Sequence, residues 1–463
     1  IAGGKMKKEI IFPKGFLWGT ASAGHQVEGG NEKSDWWKFE SEGKVYDGTV
    51  SGKAVDYWNR YEEDHELMAK LGYQAFRLGI EWARVEPEDG VFDMKAVRHY
   101  EKILRSLRKH NIKICLTLYH WVLPLWFAEK GGWEHPEAAD RFMAFCELII
   151  KELGEYPDLW VTLNEPNVPA AAGCLAGVFP PEKKSFASFC KVSNTLLKSH
   201  ARCYRLIHDI VPKGPDGWPS KVGVANAYQH VAPFGTPGLA GAYEKALSPV
   251  LAYGSFKAWD YSVATGWIVP PFGLEHVPGL KDSYDYCGVN YYTRMSLKFD
   301  AAKTDDMLID IHGIQPGIEM NQMGWENYPP GFFHTLKFVW NTFKKPIYIT
   351  ENGCADPQRD DIDRRRYLLE HMAQIARALD AGIDVRGYFQ WSFTDNFEWR
   401  EGFIKKLGLI ECDYADPELK RIPRVSAAMY ADIVKKNGIT TKLLEKYAPD
   451  CADGVFGDKW MDQ

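Results

Sequence analysis

Eight short runs rich in β-branched, aliphatic or aromatic residues recur along the 463-residue chain, at 16–21, 74–80, 113–119, 159–163, 221–227, 284–290, 346–350 and 385–390. Between them lie longer stretches with helical spacing of apolar residues, the clearest at 57–71, 94–111, 136–154, 186–211 and 361–381. Apolar runs too short for helices read as buried strands, and a strand that alternates with helix implies a parallel sheet with right-handed crossovers. Eight such units predict an α/β fold, a single (β/α)8 barrel. The strands are unevenly spaced, and the surplus chain falls near 35–56, 165–185, 212–220 and 294–326, stretches rich in Gly, Pro, Asp or Lys. These are expected to be long βα loops, which in a barrel build the functional face. No internal repeat or low-complexity linker divides the chain, so residues 1–463 are expected to form one catalytic domain. Residues 1–5 lack the cationic-then-apolar design of a signal peptide and read as a remnant ahead of Met6. The tail at 446–463 has no assignable pattern.

Composition removes several classes of function. A net charge of -6 and no basic run argue against a nucleic-acid partner. No apolar run reaches the roughly 18 residues of a membrane span. Nine cysteines are scattered without a Cys-x-x-Cys pair, which suits reduced thiols and a cytoplasmic location. His120, His200, His208 and His230 show no i, i+4 pairing, so neither a metal nor a cofactor is expected.

The residue types at the strand ends carry the functional argument. The first strand leads to Gln26 and Glu28; the second contains Arg77 and ends at Glu81 and Trp82. The third ends in Tyr119, His120 and Trp121, the fourth in Asn164 and Glu165, and the sixth in Asn290 and Tyr292. The seventh ends in Glu351 and Asn352, and the eighth in Gln390 and Trp391, with Glu398 and Trp399 close behind. Barrel enzymes keep their sites at these C-terminal ends. Amides, carboxylates, imidazole and indole together suit a neutral polyol, whose hydroxyls need donors and acceptors and whose ring faces need an aromatic plane. A glutamate after a strand is usually a loop cap or half of an ion pair. Two of them, Glu165 and Glu351, on opposite sides of one barrel and each beside an Asn, instead match the carboxyl pair needed across a scissile glycosidic bond.

These residues sit in motifs that resemble glycoside hydrolase family 1. Thr-Leu-Asn-Glu-Pro at 162–166 and Ile-Thr-Glu-Asn-Gly at 349–353 are similar to the family's two signatures. Similar too are Phe-Leu-Trp-Gly-Thr-Ala-Ser from 16 with Gln-Val-Glu-Gly from 26, Phe-Arg-Leu-Gly-Ile-Glu-Trp from 76, and Tyr-His-Trp-Val-Leu-Pro from 119. Asn-Tyr-Tyr-Thr from 290 and Trp-Ser-Phe-Thr-Asp-Asn-Phe-Glu-Trp from 391 complete a series that runs in order over nearly the whole chain. The resemblance implies a (β/α)8 barrel and a retaining, exo-acting β-glycosidase, a β-glucosidase with β-galactosidase and β-fucosidase side activity. It assigns Glu165 as acid/base and Glu351 as nucleophile, with Arg77, Tyr292 and Asn290 around the nucleophile. The carboxyls of such a pair lie about 5–5.5 Å apart.

The resemblance also implies that Gln26, His120, Trp121, Asn164, Glu398 and Trp399 hold the sugar, with Trp391 as its platform and Trp325 toward the aglycone. The implied partner is a β-linked oligosaccharide or an aryl or alkyl β-glycoside; a homo-oligomer is compatible with the sequence. Two alternatives are a non-catalytic carbohydrate binder on the same fold and a 6-phospho-β-glycosidase. The first typically lacks one of the two carboxylates, and the second carries Ser where this chain has Glu398. Lys405 does fall at the position of the phosphate-contacting Lys, and Leu407 replaces an aromatic residue. The preferred sugar and the balance between hydrolysis and transglycosylation stay open.

Overall fold

The computed structural model describes residues 9–304 and 307–460. Eight strands form the ring of the central sheet, to which Ile309–Asp310 adds antiparallel at an edge: β1 Leu17–Ala21, β2 Ala75–Gly79, β3 Lys113–Thr117, β4 Leu159–Asn164, β5 Val222–Pro233, β6 Cys287–Phe299, β7 Ile347–Asn352 and β8 Val385–Trp391. Each pairs in parallel with its neighbours in sequence order, β8 pairs with β1, and the ring is closed. The expected (β/α)8 barrel is therefore the observed fold. The five clearest helical stretches become α1 Tyr57–Lys70, α2 Met94–Lys109, α3 Ala138–Leu153, α4 Phe186–Ile210 and, after β7, Ile362–Asp380. Helices Leu239–Ala252, Pro329–Phe343 and Val425–Lys436, whose periodicity in the sequence is weaker, complete the outer ring. Burial on both faces makes the strands nearly continuous apolar runs, as in β2 and β4, where every residue is buried.

Several expectations about the loops need correction. Region 35–56 begins with a helix, Asp35–Ser41, capped by the Ser34 hydroxyl, which accepts from Trp37 N at 3.1 Å. Region 165–185 holds a wide helical turn, Pro169–Leu175, directly after Glu165. The first six residues of 294–326 continue β6, and β5–β6 pairing runs on through His230↔Arg294 to Pro233↔Leu297. Apolar and polar residues alternate there, so a half-exposed strand forms outside the barrel mouth.

The N-terminal end of the barrel is closed by local packing. Strand Glu9–Ile11 pairs antiparallel with Gly438–Thr440, and Phe12 and Phe16 pack against Trp18 of β1 in tilted and edge-on contacts with ring centroids 4.7–4.9 Å apart. The tail beyond 446 packs onto helix Ile362–Asp380: Lys459 pairs with Glu370 at 3.0 Å, and Arg377 donates to Trp460 O at 3.2 Å. Residues 1–5 and 461–463 lie outside the described residues. Among the described residues no helix is long and apolar enough to cross a membrane.

The long segment after β8 is tied down by a buried ion pair. Arg424 makes two bonds to Asp395, at 3.0 and 2.8 Å, and a third to Gly408 O at 2.8 Å; Asp395 also accepts from Gly408 N. Removing one partner of such a pair leaves an uncompensated buried charge, a loss of about 3–5 kcal/mol. Arg424→Met should therefore lower the melting temperature by several degrees in calorimetry, and so should Asp395→Asn, which leaves the guanidinium buried without its anion.

Candidate active site

Arg77 stands on β2 with its guanidinium fully buried and aimed across the C-terminal mouth. Its Nε donates to Thr117 Oγ1 at 3.1 Å, one terminal nitrogen to Glu351 Oε1 at 2.6 Å, and the other to Asn164 Oδ1 at 2.5 Å. Three strands are thus joined by one side chain. The guanidinium can only donate, so the oxygen of Asn164 faces Arg77 and its amide nitrogen faces His120 Nε2 at 3.0 Å. His120 Nε2 must therefore accept, and its proton sits on Nδ1. Burial and Arg77 both push the His120 pKa well down, so the imidazole is neutral. Asn290 completes the floor, donating to Asn164 Oδ1 at 3.1 Å and accepting from Thr350 Oγ1 at 2.6 Å.

The two glutamates have unlike surroundings. Glu351, at the end of β7, receives Arg77 and also the Tyr292 hydroxyl at 2.6 Å. Glu165 follows β4 with φ of 44°, its backbone N–H bound to Ala225 O, and the only side-chain donors near its carboxyl are the amides of Asn164, at 3.5 Å, and Asn290 among the described residues. Burial pushes Glu165 well above the ordinary carboxylate range, and the nearby Glu351 raises it further. Burial raises Glu351 too, but Arg77, Tyr292 and Asn290 oppose it. A proton shared between the two belongs on Glu165.

Both carboxyls open into a cleft of about 480 Å³ whose walls include His120, Trp121, Tyr292, Trp325, Trp391 and Trp399, with Asn290 and Glu398. Gln26, Arg77 and Asn164 do not line it directly but bond to residues that do. Gln26 Nε2 donates to Glu398 Oε2 at 3.2 Å, Asn396 Oδ1 at 3.0 Å and Phe397 O at 2.9 Å. Gln26 Oε1, His120 Nδ1 and Trp121 Nε1 are buried without a protein partner. Orphaned polar atoms are rare in protein interiors, and hydroxyl groups would complement all three. The indoles of Trp121 and Trp399 lie 4.7 Å apart, His120 lies 5.9 Å from both Trp391 and Trp399, and Trp325 tilts against Tyr292 at 5.4 Å. All the site residues read from the sequence are thus in one constellation. Trp121 and Trp399, like Glu165, have left-handed φ, 72° and 51°. Strain of this kind in bulky residues gathers at functional sites, and no sequence pattern announces it.

The sequence reading missed the outer walls. Val168, Ala171, Phe179, Met295 and Met323 all line the cleft; scattered apolar residues of this kind carry no signal of their own in a single sequence. Lys405 turns away from the cleft, donating to Gln322 O at 2.7 Å, while Leu407 lines it. A smaller cavity of about 260 Å³ behind Trp121 is lined by Asp35, Tyr119 and Trp133 and contains neither Glu165 nor Glu351. Among the described residues no group of three or more His, Cys, Asp or Glu is arranged to hold a metal ion.

Glu398 is pushed from its ordinary 4.5 up to about 8 by burial, with Glu351 adding to the effect. At neutral pH its carboxyl is therefore mostly protonated. Between pH 4.5 and 8 the folded chain holds this proton and the unfolded chain does not, so Glu398 erodes stability as pH rises through that window. Glu398→Gln should gain thermal stability over the unmodified chain, the gain growing from pH 5 to about 8 and levelling above it, read by calorimetry across pH.

Residues 8–439 match the model of Glycosyl hydrolase family 1. Beta-glucosidase A of Thermotoga maritima is 33% identical over 457 residues, covering 92% of this chain and 98% of that one. A solved beta-glycosidase from Pyrococcus horikoshii superposes with a TM-score of 0.85 at 33% identity, covering 95% of this chain and 98% of that one. The family 1 beta-glucosidase of Thermotoga maritima in complex with isofagomine lactam gives 0.83 at 30% identity, covering 93% and 100%. With the closed eight-stranded ring and a carboxyl pair at its mouth, these likenesses establish that the chain belongs to glycosyl hydrolase family 1 and is a glycoside hydrolase.

Proposed function

We propose that the chain is a retaining, exo-acting β-glycosidase, foremost a β-glucosidase with β-galactosidase and β-fucosidase side activity. The observation that carries this reading is the asymmetry of the two buried glutamates. Glu351 is ion-paired and hydrogen-bonded as an anion, while burial and its neighbour keep Glu165 protonated. Glu165 then gives its proton to the glycosidic oxygen as Glu351 attacks the anomeric carbon, and the aglycone leaves as an alcohol. Esterification removes the charge on Glu351, so the pKa of Glu165 falls. As an anion Glu165 now takes a proton from water, whose oxygen displaces Glu351 and restores both groups. Asn164 holds the 2-hydroxyl, and Gln26, His120, Trp121, Glu398 and Trp399 hold the others. Trp391 lies under the ring and Trp325 faces the aglycone. The exo mode fits a cleft walled by Glu398 and Trp399, with Gln26 bonded to Glu398 behind them.

The relatives named beta-glucosidase and beta-galactosidase support action on both C4 epimers. A 6-phosphoglycoside fits poorly, because Lys405 is engaged with Gln322 O. The same barrel as a mere sugar binder would have no need of the Arg77–Glu351 pair. We take residues 1–463 as one catalytic unit, and all nine cysteines as free thiols suited to a reducing cytoplasm.

Hydrolysis of p-nitrophenyl β-glucoside with NMR of the first-formed anomer tests the reading; an α-anomer appearing first would overturn retention. Glu351→Ala and Glu165→Ala should each lose at least about 10³-fold in rate on unactivated glycosides. Azide should rescue the first to the α-glycosyl azide and the second to the β-product, and identical products would reverse or void the roles. Arg77→Met removes the cation that opposes the upward shift of Glu351, so the acidic limb of kcat/KM should move to higher pH.

A further inference from the structure

Behind the wall that carries Gln26 and Trp399 lies a polar network that no step above uses. Glu28, Glu40 and Glu81 are each at most 3% exposed. Glu81 follows β2, four residues beyond Arg77. One of its oxygens accepts from His25 N at 2.9 Å and the other from Asn31 Nδ2 at 2.9 Å. The Asn31 amide also lies 3.2 Å from His25 Nδ1, and His25 Nε2 lies 3.4 Å from Glu40 Oε2. Glu28 is held apart by Tyr100 and Arg84, both at 3.0 Å.

Such a network is a poor source of stability. Three buried carboxyl groups face one guanidinium and one imidazole, and apolar residues of equal volume would often fold as well or better. Burial and the adjacent Glu28 push Glu81 up to about 8, so it carries a proton at neutral pH. What the network does touch is the sugar wall. The His25 ring lies parallel to the Trp399 indole, 5.9 Å away at 8°, and edge-on to Phe397 at 6.2 Å. Gln26 is the next residue in the chain, and its amide donates to Phe397 O while its carbonyl accepts from Phe397 N at 3.1 Å. The turn is pressed onto Glu81 so closely that a Cβ at Gly24 would meet Glu81 Cγ at 2.6 Å.

We propose that Glu81, Asn31 and His25 are positioning residues for sugar binding: Glu81 fixes the backbone and ring of His25, and His25 fixes the Trp399 indole and the Gln26 amide. The proposal rests on the reading that Gln26 and Trp399 hold the sugar. Contacts of that kind act alike on bound substrate and transition state, so losing their alignment raises KM more than it lowers kcat.

The test measures kcat and KM for p-nitrophenyl β-glucoside, and the dissociation constant of 1-deoxynojirimycin by calorimetry, in Glu81→Ala, Glu81→Gln, His25→Ala and His25→Phe. Misaligned positioning groups weaken function by about tenfold or more, so both alanine variants should raise KM and Kd that much, with kcat within about threefold. Glu81→Gln keeps the size and the bond from His25 N but turns a donating amide toward Asn31 Nδ2, so it should lose less than Glu81→Ala, within about fivefold of the unmodified chain. His25→Phe keeps the stack but not the bonds and should fall between. Where an alanine variant does not fold, Glu81→Asp replaces it, with the same expectation because it cannot reach Asn31. Binding unchanged in the Ala and Asp variants overturns the proposal, as does a glutamine variant no better than alanine. If the unmodified chain hydrolyses no glycoside, the reading of the cleft itself fails. If it hydrolyses them and the variants bind as it does, only the network fails.

Discussion

The guanidinium of Arg77 can donate but never accept, and it is held where three strands converge on the barrel axis. That one property propagates through the mouth. It pins a carboxylate oxygen of Glu351, turns the oxygen of Asn164 toward β2, and so sends the Asn164 amide to His120, which fixes the imidazole tautomer. Reversing any of these bonds would leave a buried group unpaired, at a loss of about 1–3 kcal/mol for each. The arrangement is therefore set before any ligand arrives, which is what electrostatic preorganisation requires.

Around this hub the fold keeps two acids within one cleft and treats them differently. Glu351 sits against a cation and a phenol, whereas Glu165 emerges on a strained residue directly beyond β4 with an amide as its nearest side-chain donor. Identical side chains thereby acquire different proton affinities from their neighbours alone. The proposed division into nucleophile and acid/base is a reading of that difference. Burial also favours the protonated form of Glu398 at neutral pH, so the cleft wall there carries an acid that can both donate and accept, in place of an anion.

The aromatic wall shows how packing and recognition share residues. Trp399 packs near His25, Trp36 and Trp121 at once, so a face that lines the cleft is also the lid of a buried cluster. The segment carrying it is held by Asp395 and Arg424 below and by Gln322, bound to Lys405 and Lys406, at the side. Long loops of a barrel can in this way be as fixed as its strands when buried charges and backbone bonds anchor them.

Much of this was legible in the chain order. Alternating apolar runs and helical stretches determined eight strands and a parallel ring, because burial on both faces makes strands such as β2 and β4 mostly apolar, with Arg77 and Asn164 as the functional exceptions. The same order put Gln26, Arg77, His120, Asn164, Glu165, Asn290, Tyr292, Glu351, Trp391, Glu398 and Trp399 at the C-terminal ends. Only the tertiary structure decided which of them touch. The continuation of β6 past Tyr292, the helix Asp35–Ser41 and the turn Pro169–Leu175 depend on partners far along the chain, so local pattern reads them as loop. The direction of Lys405, the neutral state of Glu398, the apolar outer walls and the buried cluster behind Trp399 arise from desolvation and from contacts between residues hundreds of positions apart. Sequence names the groups; the low-dielectric interior and the order in which side chains meet there set their charge and their orientation.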